Sequence, residues 1–178
     1  MKKGNNYLFI ALTIIAWLIF VGLSIEAGGL IVNFVFALYN PEFIGNLYNK
    51  LDLMDVYEQS QFAFYTVYSF ILFIAVLKAV LFYIVVMLVT KIDLKKPFNS
   101  FVSRQISLIS YFTFSIGLLS YIGQESVRNI EKSGITVANL DAFWSDSEAF
   151  ILMSAIIYVI ATIFKRGIEL QNENDLTI

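Results

Sequence analysis

From Phe62 to Thr90 the chain reads FAFYTVYSFILFIAVLKAVLFYIVVMLVT, with Lys78 as its single charged residue. A membrane span needs roughly 20 mostly apolar residues, because a helix rises about 1.5 Å per residue and the hydrocarbon core is about 30 Å thick. The stretch exceeds that length. Its apolar residues form a block rather than a stripe at the 3.6-residue period of a half-buried soluble helix. It therefore reads as a transmembrane helix, and the rest of the chain can be placed around it.

Three further stretches qualify: residues 7–25 without a charge, 97–122 with Arg104 near the start, and the shorter 149–164. The last is closed by Glu148 and by Lys165-Arg166, whose long stems reach the headgroups, with Phe143 and Trp144 as aromatic anchors beside it. Ser145 followed by Glu148 has capping-box spacing, and Pro97 suits a first helical turn, which has no use for its N–H. A cleaved signal peptide is the competing reading of the first stretch. Its apolar run is longer than the usual 7 to 15 residues and Ile25 is bulky for a cleavage site, so a retained helix is expected.

Composition agrees. Of 178 residues 58% are hydrophobic and 15% charged, whereas soluble domains are nearer half apolar and a quarter charged. Lys+Arg 12 against Asp+Glu 14 gives a net charge of −2, and there is no Cys and no His. That removes disulfides, thiol chemistry, Cys/His zinc sites, His-ligated haem and any Ser-His or Cys-His nucleophile. No cofactor is expected and no enzyme; a Ser-Lys dyad using Lys78 has no nucleophile motif around it. An acidic pI of about 5.1 gives no direct nucleic-acid reading.

The expectation is an all-α integral membrane protein, one membrane domain over residues 1–178, built as a four-transmembrane-helix bundle. Orientation follows from Lys and Arg in the loops. Placing both termini and the hairpin 91–96 on one side gathers Lys2, Lys3, Lys91, Lys95, Lys96, Arg104, Lys165 and Arg166 there, and leaves Lys50, Arg128 and Lys132 opposite. Both termini, including the tail 165–178, are thus expected in the cytoplasm and the protein in the inner, cytoplasmic membrane. The outer segments are then 26–61 and 123–148. In the first, Asn40-Pro41-Glu42 reads as a helix start, and Phe43, Leu47, Leu51 and Met54 recur at three-to-four spacing, predicting an interfacial amphipathic helix. Residues 27–38 either extend the first helix or form a re-entrant piece, and the sequence leaves both open.

Three features bear on function. Lys78 lies 13 residues, or about 20 Å, from Lys91 at the end of its span. A bare ammonium at that depth costs several kcal/mol and finds a partner or a wet cavity; the candidate partners are Glu26 and Glu125. A structural ion pair outweighs an ion- or proton-coupling site in this reading. In the third span Ser103, Ser107, Ser110 and Gly117 share one face, which suits close helix packing better than the wall of a polar path. The basic hairpin with Lys95 and Lys96, and the acidic tail with Glu169, Glu173, Asp175, Leu176 and Ile178, are candidate docking elements for a soluble partner.

The tail from Ala161 to Ile178, with Arg-Gly-Ile-Glu-Leu-Gln and Glu-Asn-Asp-Leu-Thr-Ile, resembles the hallmark tail of a bacterial membrane family, domain of unknown function 2975. Lys-Ile-Asp-Leu-Lys-Lys-Pro-Phe at residues 91–98 is similar to that family's hairpin, and the four-span layout extends the resemblance over nearly the whole chain. The family has no agreed activity and is often encoded beside a small helix-turn-helix regulator of the Cro repressor type. The resemblance thus implies a membrane protein that holds or antagonises a cytosolic DNA-binding regulator. A small transporter or channel component with a polar path near Lys78 is the alternative. Beyond the lipid bilayer and such a regulator, a homo-oligomer stays open.

Overall fold

A computed structural model describes residues 3–48, 51–93, 97–137, 140 and 143–175. Those residues form α1 (Lys3–Tyr39), a 3₁₀ turn η1 (Pro41–Asn46), α2 (Met54–Gln59), α3 (Gln61–Lys91), α4 (Ser100–Lys132) and α5 (Ser147–Asp175). There is no strand among them. Four helices are long and apolar enough to cross a membrane: Tyr7–Tyr39, Gln61–Lys91, Ser100–Lys132 and Ser147–Glu173. This is an all-α, multi-span membrane protein, and the stretch from Phe62 to Thr90 is the body of α3.

Helix starts are set by side chains that accept otherwise orphaned N–H groups. Ser60 accepts from the Ala63 N–H at 3.3 Å, ahead of α3. For α4 the cap is Asn99, accepting from Val102 N–H at 2.9 Å, so the helix starts three residues after Pro97 rather than on it. For α5 the carboxylate of Asp146 accepts from Ala149 N–H at 3.0 Å. The cap lies one residue beyond the expected Ser145, whose N–H donates to the Ser120 hydroxyl at 3.3 Å and whose own hydroxyl is buried away from the helix N–H groups, without a partner among the described residues.

Residues 27–38 extend the first helix, and Gly28-Gly29 sit within it. Glycine inside a helix costs about 1 kcal/mol relative to alanine, and Gly29 has a packing reason to be there. A Cβ at this position would lie 2.5 Å from the Tyr48 ring, which the bare backbone admits. The expected single interfacial helix is instead two short pieces, η1 and α2. Asn40 does start the first, accepting from Glu42 N–H at 3.1 Å. Leu47 and Leu51, apolar positions that an interfacial helix would turn to lipid, are instead buried against the ends of α1 and α3, and backbone bonds from Leu47 N–H to Leu51 and from Leu53 N–H to Ile44 fold the segment inward.

The long helices pack antiparallel and in chain order: α1 on α3, α3 on α4, α4 on α5. Tyr68 on α3 donates its hydroxyl to the Leu30 carbonyl of α1 at 2.9 Å, and Phe20 meets Tyr83 nearer the other end, with ring centroids 5.8 Å apart. Ile74 of α3 and Ile116 of α4 are fully buried together. Three antiparallel steps bring the start of α1, the end of α3, the start of α4 and the end of α5 to one face, hereafter the terminal face; η1, α2, the end of α4 and the start of α5 lie at the far face.

A helix of 33 residues is about 50 Å long and overshoots the hydrocarbon by some 20 Å. The overshoot explains where the core sits. Leu30, Ile44, Leu53, Val56, Phe64, Val67, Tyr68 and Ile71 are almost completely buried, and all belong to the far-face end of the molecule. Between helices in lipid there is no hydrophobic gain from contact, so packing there rests on close approach and hydrogen bonds, while in water the same side chains must be buried. The larger buried cluster thus caps a tier in which the helices meet through small residues and a few hydrogen bonds. Phe143 belongs to that core rather than to a headgroup belt, and Trp144 lies over Gly123, where a Cβ would come within 2.7 Å of its ring.

Candidate functional site

Of the two acids expected beside Lys78, Glu26 is the one whose charge acts on it, across the α1–α3 contact. The two do not close to a salt bridge. Arg128 pairs with Glu125 at 2.6 Å and Arg166 with Glu169 at 3.5 Å, each one helical turn apart. Glu125 is therefore engaged on its own helix and does not reach Lys78. Glu26 is the one charge of α1 between Tyr7 and Tyr39, and Lys78 is set about one turn deeper in register on α3.

The serine face of α4 lies against α5. Ser110, buried, donates to the Ser154 carbonyl of α5 at 2.9 Å, and Ser120 is completely buried beneath Ser145. Gly117 brings the backbones together, for a Cβ there would stand 2.9 Å from Ile151 Cγ1 and 3.0 Å from Ile151 N. Ser107 turns its hydroxyl back onto the Ser103 carbonyl at 3.0 Å, and both are half-buried. Hydroxyls of this stripe thus satisfy themselves on backbone carbonyls, two routes open to serine in an apolar medium.

At the terminal face the turn and the tail meet. α5 does not end at Lys165-Arg166 but runs on to Asp175, so Glu169 and Glu173 are carried on a helix. Phe98, just before the α4 cap, lays its ring over Gly167: a Cβ on Gly167 would fall 2.8 Å from Phe98 Cδ1. The same ring packs on Phe164, centroids 5.2 Å apart. Lys91 holds its ammonium 6.0 Å from the centre of the Phe101 ring, on the first turn of α4. One surface therefore contains the end of α3, the start of α4 and α5 around Phe164 and Gly167. Lys95, Lys96, Leu176 and Ile178 lie outside the described residues.

Residues 40–178 match the family model described as protein of unknown function DUF2975. The chain belongs to that family. The DUF2975 match takes in both the turn and the tail that Phe98 and Gly167 join, and it begins after α1, so the resemblance covers less of the chain than the sequence reading expected. No curated protein and no solved structure is detectably similar to the chain.

The role of Phe98 and Gly167 was missed in the sequence, although both lie inside the stretches that carry the DUF2975 resemblance. The available signal was a glycine standing alone within a helical continuation, directly after two cations. Enlarging it is a direct test of the joint. Gly167→Leu should push the Phe98 ring off α5 and make the turn several-fold more sensitive to trypsin in vesicles that expose this face. Unchanged cleavage would mean that the ring contact does not hold the turn.

Proposed function

We propose that this DUF2975 protein is a non-catalytic regulatory partner of a cytosolic helix-turn-helix regulator. Its setting is the cytoplasmic membrane of a bacterium, with both termini inside. The observation that carries the reading is the joint of Phe98 on Gly167 and Phe164, which sets the start of α4 against the end of α5 that bears Glu169 and Glu173. An exposed helical end bearing Glu169 and Glu173 is suited to docking through charge and a short apolar terminus. The serine face of α4, filled by α5, supports this reading over a polar path.

A pull-down from native membranes in mild detergent tests it, comparing the full chain with one ending at Gln171. A DNA-binding protein captured by the full chain and lost from the shortened one is the expected result; identical captures from both would overturn the role of the tail. For the transport alternative, proton or ion flux in liposomes is measured for the wild type and for Lys78→Met. No flux is expected from either, and a flux that Lys78→Met abolishes would replace the regulatory reading.

A further inference from the structure

We infer that α1 is a self-association surface, through which two copies of this chain pair by parallel α1 helices along a twofold axis normal to the membrane. The residues of α1 that are buried in a single chain are few and small or on one side: Ala16, Ala27, Leu30 and Ala37. Glu26, the one charge between Tyr7 and Tyr39, is also turned to α3, where Lys78 is. What remains is a charge-free face. Ile14, Leu18, Val21, Ile25, Val32 and Val35 fall along it, each between 46% and 69% exposed. Their steps of four, three and four continue through Gly28, where a Cβ would meet nothing within 4 Å, so a second backbone can come close at that point. This is the seven-residue repeat of a left-handed pair of helices.

Lipid covers the membrane part of such a face but not all of it. The Tyr68–Leu30 hydrogen bond and the contact of Phe36 with Phe43, ring centroids 5.6 Å apart, place residues 30–39 level with η1 and α2. At that level Glu42, Asp52, Asp55 and Glu58 are all exposed, which requires water. Yet Val32, Val35 and Phe36 are about half exposed there and Tyr39 is 87% exposed. Apolar side chains in water without cover mark an interface.

A second copy is the occupant that fits without further assumptions. Every copy inserts with the same direction and depth, so the seam meets itself in register, as an isologous pairing demands. It carries no charge to repel its twin. The face of a helix 33 residues long, with its flanks, offers area on the order of the 800 Å² per partner of a stable interface. The pairing surface lies on α1, whereas the joint of turn and tail is made by Phe98 and α5, so neither proposal depends on the other.

The chain has no cysteine, so single-cysteine variants report cleanly. In native membranes under mild oxidation, Ile25→Cys, Val32→Cys and Val35→Cys should each give disulfide-linked dimers, while Leu152→Cys, 66% exposed on α5, should not. Adding Gly28→Leu to Ile25→Cys should lower the linked fraction about tenfold with the protein still inserted. Two outcomes overturn the inference: equal linkage at Leu152→Cys, which means random collision, or none at the α1 positions with the protein folded, which means that lipid or another protein covers the face.

Discussion

Tyr68→Ala is expected to be the most damaging single change in the protein. The side chain is completely buried at the centre of the far-face core, stacked on Phe34 with centroids 5.3 Å apart and touching Phe64 at 5.6 Å. Truncating a buried aromatic costs about 3–5 kcal/mol, the sum of lost burial and the cavity left behind. In purified protein in detergent this should appear as a fall in Tm of order 10 °C, followed by loss of helical circular dichroism. Tyr68→Phe separates the two contributions. It keeps the ring and removes only the bond to the Leu30 carbonyl, for which about 1 kcal/mol is expected. If the phenylalanine variant were as unstable as the alanine one, the hydrogen bond rather than the packing would hold α1 to α3.

The second large effect is expected at Gly117→Leu. Here the obstacle to a larger side chain is the neighbouring backbone as well as side chains: Ile151 N and Phe150 Cβ are both 3.0 Å from where a Cβ would stand. A flexible side chain could swing aside, but a helix backbone cannot, so α5 must move away from α4. That movement also breaks the Ser110 bond to Ser154. Overpacking of a close contact costs about 1–3 kcal/mol, and the bond across helices in a membrane about 0.6 more. A Ser110→Cys, Ser154→Cys pair should cross-link readily on the wild-type background and lose most of that linkage with Gly117→Leu. Retained linkage would show that α4 and α5 can absorb the leucine in place.

The two variants probe different media. Around Tyr68 water drives burial, and the sequence there looks unremarkable because its core is assembled from four separate pieces: the end of α1, η1 with α2, the start of α3, and the connection before α5. No local pattern reveals that Leu47 and Leu51 turn inward, since the same three-to-four spacing serves an interfacial helix equally well. Gly117 and Ser110 were legible, because in lipid small residues on one helix face have few other uses. The spans were legible for the same reason, as apolar length is the physical requirement itself.

Span ends were less legible than spans. Hydropathy falls at Gly123 and at Lys165, yet α4 continues to Lys132 and α5 to Asp175. A helix does not need to stop where lipid stops, and the Arg128–Glu125 and Arg166–Glu169 pairs support the overhanging turns. Caps were off by one to three residues because Asn99 and Asp146 competed with equally plausible neighbours. Of the candidate site, the turn and the tail were each visible as stretches, but their meeting through Phe98 and Gly167 joins positions far apart in the chain. Which acid faces Lys78 could not be read from the sequence, since the approach of Glu26 across the α1–α3 contact and the pairing of Glu125 with Arg128 on its own helix both depend on how the helices are turned.

The order in which the helices pack also bears on how the protein is made. Each long helix rests on the one synthesised just before it, so a newly inserted span finds its partner already in the bilayer and need not wait for later chain. Contacts between neighbours in sequence close short loops, which carry a small entropic cost and form quickly. The far-face core departs from this order, since it needs Val137, Leu140 and Phe143 to arrive after α4 has crossed. Biogenesis should therefore proceed as a growing row, helix by helix, with the watery cap sealing last, and a chain released at Lys132, without α5, should have α1, α3 and α4 already associated.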